Sequence, residues 1–264
     1  MRSLRGQRLG ASRILVTGAT SGIGQALAAR LAGRADVILT GRNQAALAAA
    51  LSGRTAGVER VVADLADAND RQRLVAVAKA RRIDGLVNAA GLGTLGNFVD
   101  NDPQGEQACI AVNVAALVDL SRALVPDMID AARDRGGRAL LMNVASAFAL
   151  VPVPQFAVYG ASKAFVLSFT EALASELAGE PIDVVALCPG PTRSDFGTRA
   201  GFSMAALPGA MAPERVAEVA VAEIGRRTVV FTDAASRTTL APITRARAVV
   251  ARMIDLGIGL ARRR

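Results

Sequence analysis

Short apolar runs alternate with longer Ala- and Leu-rich stretches along the chain, and this alternation predicts βαβ units around a parallel sheet. Strands are predicted near Arg13–Thr17, Asp36–Thr40, Val58–Ala63, Ile83–Ala89, Arg138–Val144, Ile182–Leu187 and Thr228–Phe231. Runs such as ILV, VIL and LLMNV hardly alternate between apolar and polar, the pattern of strands covered by helices on both faces. Helices are predicted near Ile23–Ala32, Gln44–Leu51, Ala68–Arg81, Pro103–Arg133, Phe156–Ala178 and Pro213–Arg226. The expected fold is α/β: one domain over residues 1–264 with a doubly wound, seven-stranded parallel sheet. The connection Gly190–Ala212 is too long for an ordinary helix–strand loop, and such insertions are usually functional. In the tail, Ala246–Leu260 reads as an amphipathic helix with Arg247 and Arg252 outside.

Composition narrows the chemistry. Apolar residues make up 52% of the chain but aromatic ones only 3%, so the core must be built from Ala, Val, Leu and Ile. The length suits one large α/β domain. Histidine is absent, which excludes Ser-His-Asp and Cys-His nucleophiles, histidine bases and histidine metal sites. The two cysteines, Cys109 and Cys188, are too few for a thiolate zinc site, so no metal is expected. Their placement in a helix and a strand suits reduced, buried thiols, and the cytoplasm is the expected compartment. The N-terminal stretch lacks the apolar run of a secretory signal. No uninterrupted apolar run approaches the ~18 residues of a membrane span; the longest candidate, Ala145–Ala161, is broken by Ser146, Pro152, Pro154, Gln155 and Gly160. The net charge of +8 comes from arginines scattered along the chain, clustered only at Arg262–Arg264. With so few aromatic residues for base stacking, this argues against a nucleic-acid partner.

Two local motifs carry candidate chemistry. The only tyrosine, Tyr159, stands four residues before Lys163, one of two lysines. On a helix, that spacing puts both on one face. An ammonium beside a phenol of ordinary pKa near ~10 favours phenolate, tuning it for acid/base work; the plainer alternative is a packed helix-face pair. After the first strand comes TGATSGIG, Thr17–Gly24, leading into a helix. Glycine-rich strand-to-helix turns bind phosphate through converging backbone N–H groups and the helix N-terminus. Gly18 would make the turn, while Gly22 and Gly24 would allow close approach. A methyltransferase loop or a simple tight turn has similar glycines.

Taken in order, TGATSGIG, Asp64-Leu65, NAAG at Asn88–Gly91, Asn113, Ser146, Tyr159-x-x-x-Lys163 and PGPT at Pro189–Thr192 resemble the short-chain dehydrogenase/reductase family over essentially the whole chain. NAAG in place of the commoner NNAG is a small departure. The resemblance implies a Rossmann-type fold and a nicotinamide cofactor held by Thr17, Gly18, Thr20, Ser21, Gly22, Ile23 and Gly24. It implies that Asp64 with Leu65 holds the adenine, that Asn88, Ala89 and Gly91 brace the central strand near the ribose, and that Pro189, Gly190 and Thr192 contact the nicotinamide amide. It also implies a homodimer or homotetramer formed through the helices carrying Asn113 and Tyr159.

The second strand ends Thr40-Gly41-Arg42, where an NAD enzyme needs a carboxylate for the ribose 2′-hydroxyl. Arg42 instead suits a 2′-phosphate, so NADP(H) is expected over NAD(H), unless Arg42 is merely a solvated loop residue. The expected catalytic set is Asn113, Ser146, Tyr159 and Lys163. Tyr159 would protonate the developing alkoxide, Ser146 would orient it, Lys163 would lower the phenol's pKa and bind the ribose, and Asn113 would hold a water linking Lys163 to solvent.

Over the nicotinamide, Phe148, Leu150, Val151, Val153, Phe156, Phe196, Phe202, Met204, Leu207 and Met211 would line an apolar pocket, unless many of them pack between subunits. The expected substrate is a small-molecule ketone, aldehyde or alcohol of lipophilic character. Arg193 or Arg199 offers a site for a carboxylate or phosphate. A 3-oxoacyl-thioester reductase and a non-catalytic NADP(H)-binding sensor or scaffold stand as alternatives.

Overall fold

A computed structural model of the protein describes residues 10–54, 56–194, 196 and 209–262, without the side chains of Arg252 and of 255–262. Seven strands, β1 (Arg13–Thr17), β2 (Asp36–Gly41), β3 (Val58–Val62), β4 (Gly85–Asn88), β5 (Ala139–Val144), β6 (Ile182–Cys188) and β7 (Val229–Phe231), form one sheet in the order β3-β2-β1-β4-β5-β6-β7. Every pairing is parallel. Successive strand residues enter opposite cores. Ile14, Val16, Val37, Leu39, Leu140 and Met142 join one core, and Leu15, Ile38 and Leu141 the other. Both faces are therefore apolar, as the unalternating runs predict.

Helices α1 (Gly22–Leu31), α2 (Gln44–Ala49), α3 (Ala68–Ala80) and α4 (Pro103–Ile110) come first, followed by a π-helical turn at Ala111–Ala115 that leads into α5 (Ala116–Asp134). Next come a 3-10 turn at Ala147–Leu150, then α6 (Ala157–Glu176), α7 (Pro213–Glu223), α8 (Ala234–Thr239) and α9 (Ala241–Arg262). Leu27 and Leu31 of α1 pack with Val216 and Ala220 of α7 on one face. Leu74 of α3 packs with Leu120, Leu124 and Met128 of α5 on the other. Asp67 and Asp102 cap α3 and α4 by accepting two backbone N–H bonds each, which fixes where those helices start.

The chain runs from β1 outward to β3, then returns to place β4 on the other side of β1. At such a reversal the loops diverge and leave a crevice at the strands' C-terminal ends.

Three details go beyond the sequence expectation. The rod expected over Pro103–Arg133 is continuous in direction but carries the π turn, with Asn113 inside it. The same rod, Pro103–Asp134, is long and apolar enough to cross a membrane by length and composition. A search for uninterrupted apolar runs overlooks it, and here its Leu117, Leu120, Leu124 and Met128 are buried in the protein. Lastly, Arg247 of α9 is exposed as expected but is tethered to the protein body. It donates to Glu171 of α6 at 2.8 and 3.1 Å, and apolar residues take the outer side; the Arg252 side chain lies outside the described residues.

Candidate active site

The crevice is walled by the β1–α1 turn, the ends of β2, β3 and β4, the segment after β5, the start of α6 and the segment after β6. Its glycine turn has no room for side chains. Gly18 has φ +65°, and a Cβ there would meet the Ala90 backbone at 2.7 Å. A Cβ on Gly24 would run into the Gly18 carbonyl. The turn thus presents bare backbone at the N-terminus of α1, a phosphate-binding arrangement. The structure brings Gly18, Thr20, Ser21, Gly22, Ile23, Gly24, Arg42, Asp64, Leu65, Ala89, Gly91, Ser146, Tyr159, Lys163, Pro189, Gly190 and Thr192 together along this one cleft. Arg42 is exposed at its rim and has no salt bridge among the described residues.

Thr17, Asn88 and Asn113 stand behind the wall rather than in it. The Thr17 hydroxyl accepts from the Ala89 and Ala90 N–H groups, each at 3.0 Å, and so stitches β1 to β4. Asn88 donates to Asn143 at 2.9 Å, and Asn143 to Thr170 at 3.0 Å, a buried polar chain from β4 through β5 to α6. Asn113 accepts from Leu92 N–H at 2.9 Å and donates to the Leu92 carbonyl and the Ser162 hydroxyl, both at 2.9 Å. Its amide nitrogen is spent on positioning, and the extra residue of the π turn accommodates these bonds. Ser162 in turn donates to the Tyr159 carbonyl at 2.7 Å.

At the head of the cleft, Ser146 ends the β5 segment and accepts from Phe148 N–H at 3.1 Å. Helical spacing on α6 places Tyr159 and Lys163 side by side, with the ammonium 5.8 Å from the phenol ring centroid. Burial pushes the Tyr159 phenol up to about 12, opposed by a hydrogen bond with the Ser146 side chain. Burial also pulls Lys163 down to about 8, and its ammonium donates to the Val144 carbonyl at 2.8 Å.

Burial thus leaves the phenol above its ordinary value, where the helix-face spacing alone points to a lower one. Dehydration of the phenolate outweighs the neighbouring charge, which is directed at Val144. The hydrogen bond with Ser146 is the contact that opposes this rise.

Aromatic side chains collect around this point. Tyr159 lies 5.1 Å from Phe196, 5.8 Å from Phe156 and 6.5 Å from Phe148, centroid to centroid. Gly93 lets them close up: a Cβ there would sit 2.6 Å from the Phe196 ring and 3.1 Å from Tyr159. Of the ten apolar residues expected to line the pocket, Phe148, Phe156 and Phe196 do so.

Leu150 packs instead with Val166, Leu167 and Phe231. Val151 is exposed, Val153 backs the aromatic cluster, and Met211 leans on the core beside α1 and α7. Phe202, Met204, Leu207 and Arg199 lie outside the described residues. Arg193 donates to the Ala210 carbonyl at 2.6 Å, and Thr192 bridges to Met211, so Arg193 ties together the two ends of the Gly190–Ala212 insertion rather than facing the cleft.

Sequence reasoning missed Glu106. This buried residue of α4 accepts from Thr94 at 3.1 Å and Asn101 at 2.8 Å, anchoring the segment after β4. A carboxylate three residues before Cys109 in a helix with an apolar inner face was the available signal.

A family model described as short chain dehydrogenase matches residues 12–201. An uncharacterized short-chain type dehydrogenase/reductase of Sinorhizobium fredii is 39% identical over 184 residues, 69% of this chain and 70% of that protein. A short-chain dehydrogenase from Sphingobium yanoikuyae, solved in complex with NADPH, superimposes with a TM-score of 0.76 at 30% identity, covering 93% of this chain and 94% of that one. A 3-ketoacyl-(acyl-carrier-protein) reductase from Brucella melitensis, complexed with NADH, gives the same TM-score at 30% identity over 88% and 98%. With its seven-stranded parallel sheet, glycine turn and Tyr159–Lys163 pair, the chain belongs to the short-chain dehydrogenase/reductase family of nicotinamide-dependent oxidoreductases.

Proposed function

We propose that this protein uses NADP(H) to interconvert an apolar ketone or aldehyde and the corresponding alcohol. One observation carries the reading. A single cleft has an exposed Arg42 at one end and, at the other, the Ser146 and Tyr159 hydroxyls inside a wall of phenylalanines. The glycine turn and the N-terminus of α1 would hold the cofactor's pyrophosphate, Asp64 and Leu65 its adenine, Arg42 its 2′-phosphate, and Pro189, Gly190 and Thr192 its carboxamide. When bound, the cofactor supplies or accepts a hydride.

The other work falls to the chain's side chains. Ser146 orients the carbonyl oxygen, and Tyr159 hands it a proton. A phenol with a pKa of about 12 is fully protonated at neutral pH, and an alkoxide is basic enough to take that proton readily. Lys163 binds ribose hydroxyls and balances the phenolate left behind. Its ammonium and the Asn113 amide oxygen flank the space where Gly91 lacks a side chain, at 3.4 and 3.5 Å from the position of a Cβ, which suits a water that reprotonates the site. Oxidation of the alcohol runs these steps in reverse.

The phenylalanine wall favours a substrate bound by apolar contact. Likeness to the Brucella 3-ketoacyl reductase supports a second reading, reduction of a 3-oxoacyl thioester. Turnover of lipophilic ketones and of acyl-carrier thioesters, each with NADPH and with NADH, tests both. Free ketones and NADPH are expected to win, and Arg42→Ala should raise KM for NADPH about tenfold while leaving NADH unchanged. A clear NADH preference refutes the cofactor assignment. Tyr159→Phe should bind NADPH normally but turn over about 10²–10⁴-fold more slowly; wild-type turnover would remove Tyr159 from the mechanism.

The single sheet supports reading the chain as one nucleotide-binding domain with the 190–212 insertion beside its substrate end. Two free, buried cysteines suit a cytoplasmic setting. Ile110 of α4 and Phe165 of α6, both exposed, support pairing of subunits through these helices.

A further inference from the structure

Helix α9 exposes apolar side chains, Val249 and Met253 away from the protein body and Val250 and Ile254 along a hollow against α6 and β7. Val249, Val250, Met253 and Ile254 are 58%, 54%, 68% and 56% exposed. Contacts with the protein body fix the helix's rotation: Thr244 is buried, and Arg247 is held by Glu171. At 3.6 residues per turn, Val249 and Met253 then fall on the side away from Thr244. A contiguous apolar surface of this kind marks an interaction site.

We propose that α9 docks the protein onto an anionic lipid surface, with Val249 and Met253 entering the headgroup boundary. Charge selects this occupant. From Ala241 to Arg264 the sequence places six arginines against one acidic residue, Asp255, and so holds five of the chain's eight net positive charges. A basic helix with one apolar face lies in the plane of an anionic membrane surface. A second copy of the same face fits less well, because it would bring together two segments that each carry a net charge of +5, whereas an anionic surface neutralises that charge. The helix also begins beside the cleft. Leu240 and Ala241 pack in one apolar cluster with Ala149 and Leu150, which follow Ser146.

Flotation of the full-length protein with vesicles tests this. Vesicles of phosphatidylcholine with about one part in three phosphatidylglycerol should carry it upward, pure phosphatidylcholine should not, and raising salt from ~0.1 to ~1 M should release it. Val249→Asp with Met253→Asp should cut the bound fraction about tenfold, as should Arg245→Glu. An unchanged thermal midpoint would show that these variants still fold. Failure to float, equal flotation on both vesicle types without a response to salt, or full flotation of the aspartate variant overturns the proposal. So does sedimentation showing that wild type is a multimer which the aspartate variant splits, since that face would then join copies of the chain.

Discussion

Asp84 and Lys163 are both buried ionisable side chains, 0% and 5% exposed, at opposite ends of the sheet. Asp84 stands just before β4, below the strands. It accepts from the Ser12 and Arg13 N–H groups and the Ser12 hydroxyl, at 2.7–3.0 Å, and pairs with Arg135. Lys163 sits at the top, where its ammonium makes one hydrogen bond among the described residues, to Val144. A buried charge with a full set of partners binds the structure together, whereas one with donors to spare is kept for something else. Position along the strands agrees, since ligands of such sheets bind beyond the C-terminal ends.

Substitution should separate the two roles. The largest effect is expected from Lys163→Met: turnover should drop about 10²–10⁴-fold, the range of acid/base assistance, with the thermal midpoint unchanged or raised because a dehydrated ammonium is gone. Asp84→Asn should do the opposite. Weakening the carboxylate's bonds to Ser12 and Arg13 should cost about 1–3 kcal/mol in urea unfolding, while the folded fraction keeps its specific activity. Equal losses of stability and turnover in both variants would erase the distinction.

A smaller effect is expected from pH. Lys163 lies at about 8 against its ordinary 10.5, so the unfolded chain binds that proton more tightly. Its destabilising share is complete below pH 8 and fades between about 8 and 10.5, so stability should rise across that window. Tyr159 has the reverse sign: at about 12 against 10.0, the folded state keeps the proton, and stability is lost between about 10 and 12. Urea midpoints of wild type minus Lys163→Met, followed upward from neutral pH, isolate the first window. Reduction should also slow as pH passes about 8 and the ammonium is lost.

Much of this was legible in the sequence for a physical reason. Strand and helix periods are local, and the glycine turn and the Tyr159–Lys163 pair are each written within a few residues. The rest depends on contacts distant in sequence. The π turn follows from Asn113 bonding to Leu92 and Ser162, partners no spacing rule supplies. The direction of the Tyr159 shift was not legible because spacing reveals a neighbouring charge but not the loss of water. The apolar stripe of α9 was visible, but its outward direction depends on Thr244 and on the pairing of Arg247 with Glu171. Of the ten pocket residues expected, the three aromatic ones in the described cleft gather around Tyr159, while Leu150 and Met211 are claimed by the core.

That the sole tyrosine stands in this cleft, in a chain without tryptophan, makes the protein its own optical probe. Fluorescence excited beyond the phenylalanine absorption band arises from Tyr159 alone, so quenching or enhancement reports events at the reacting phenol without a label. Its ionisation is likewise readable as one absorbance transition, with no second chromophore to subtract.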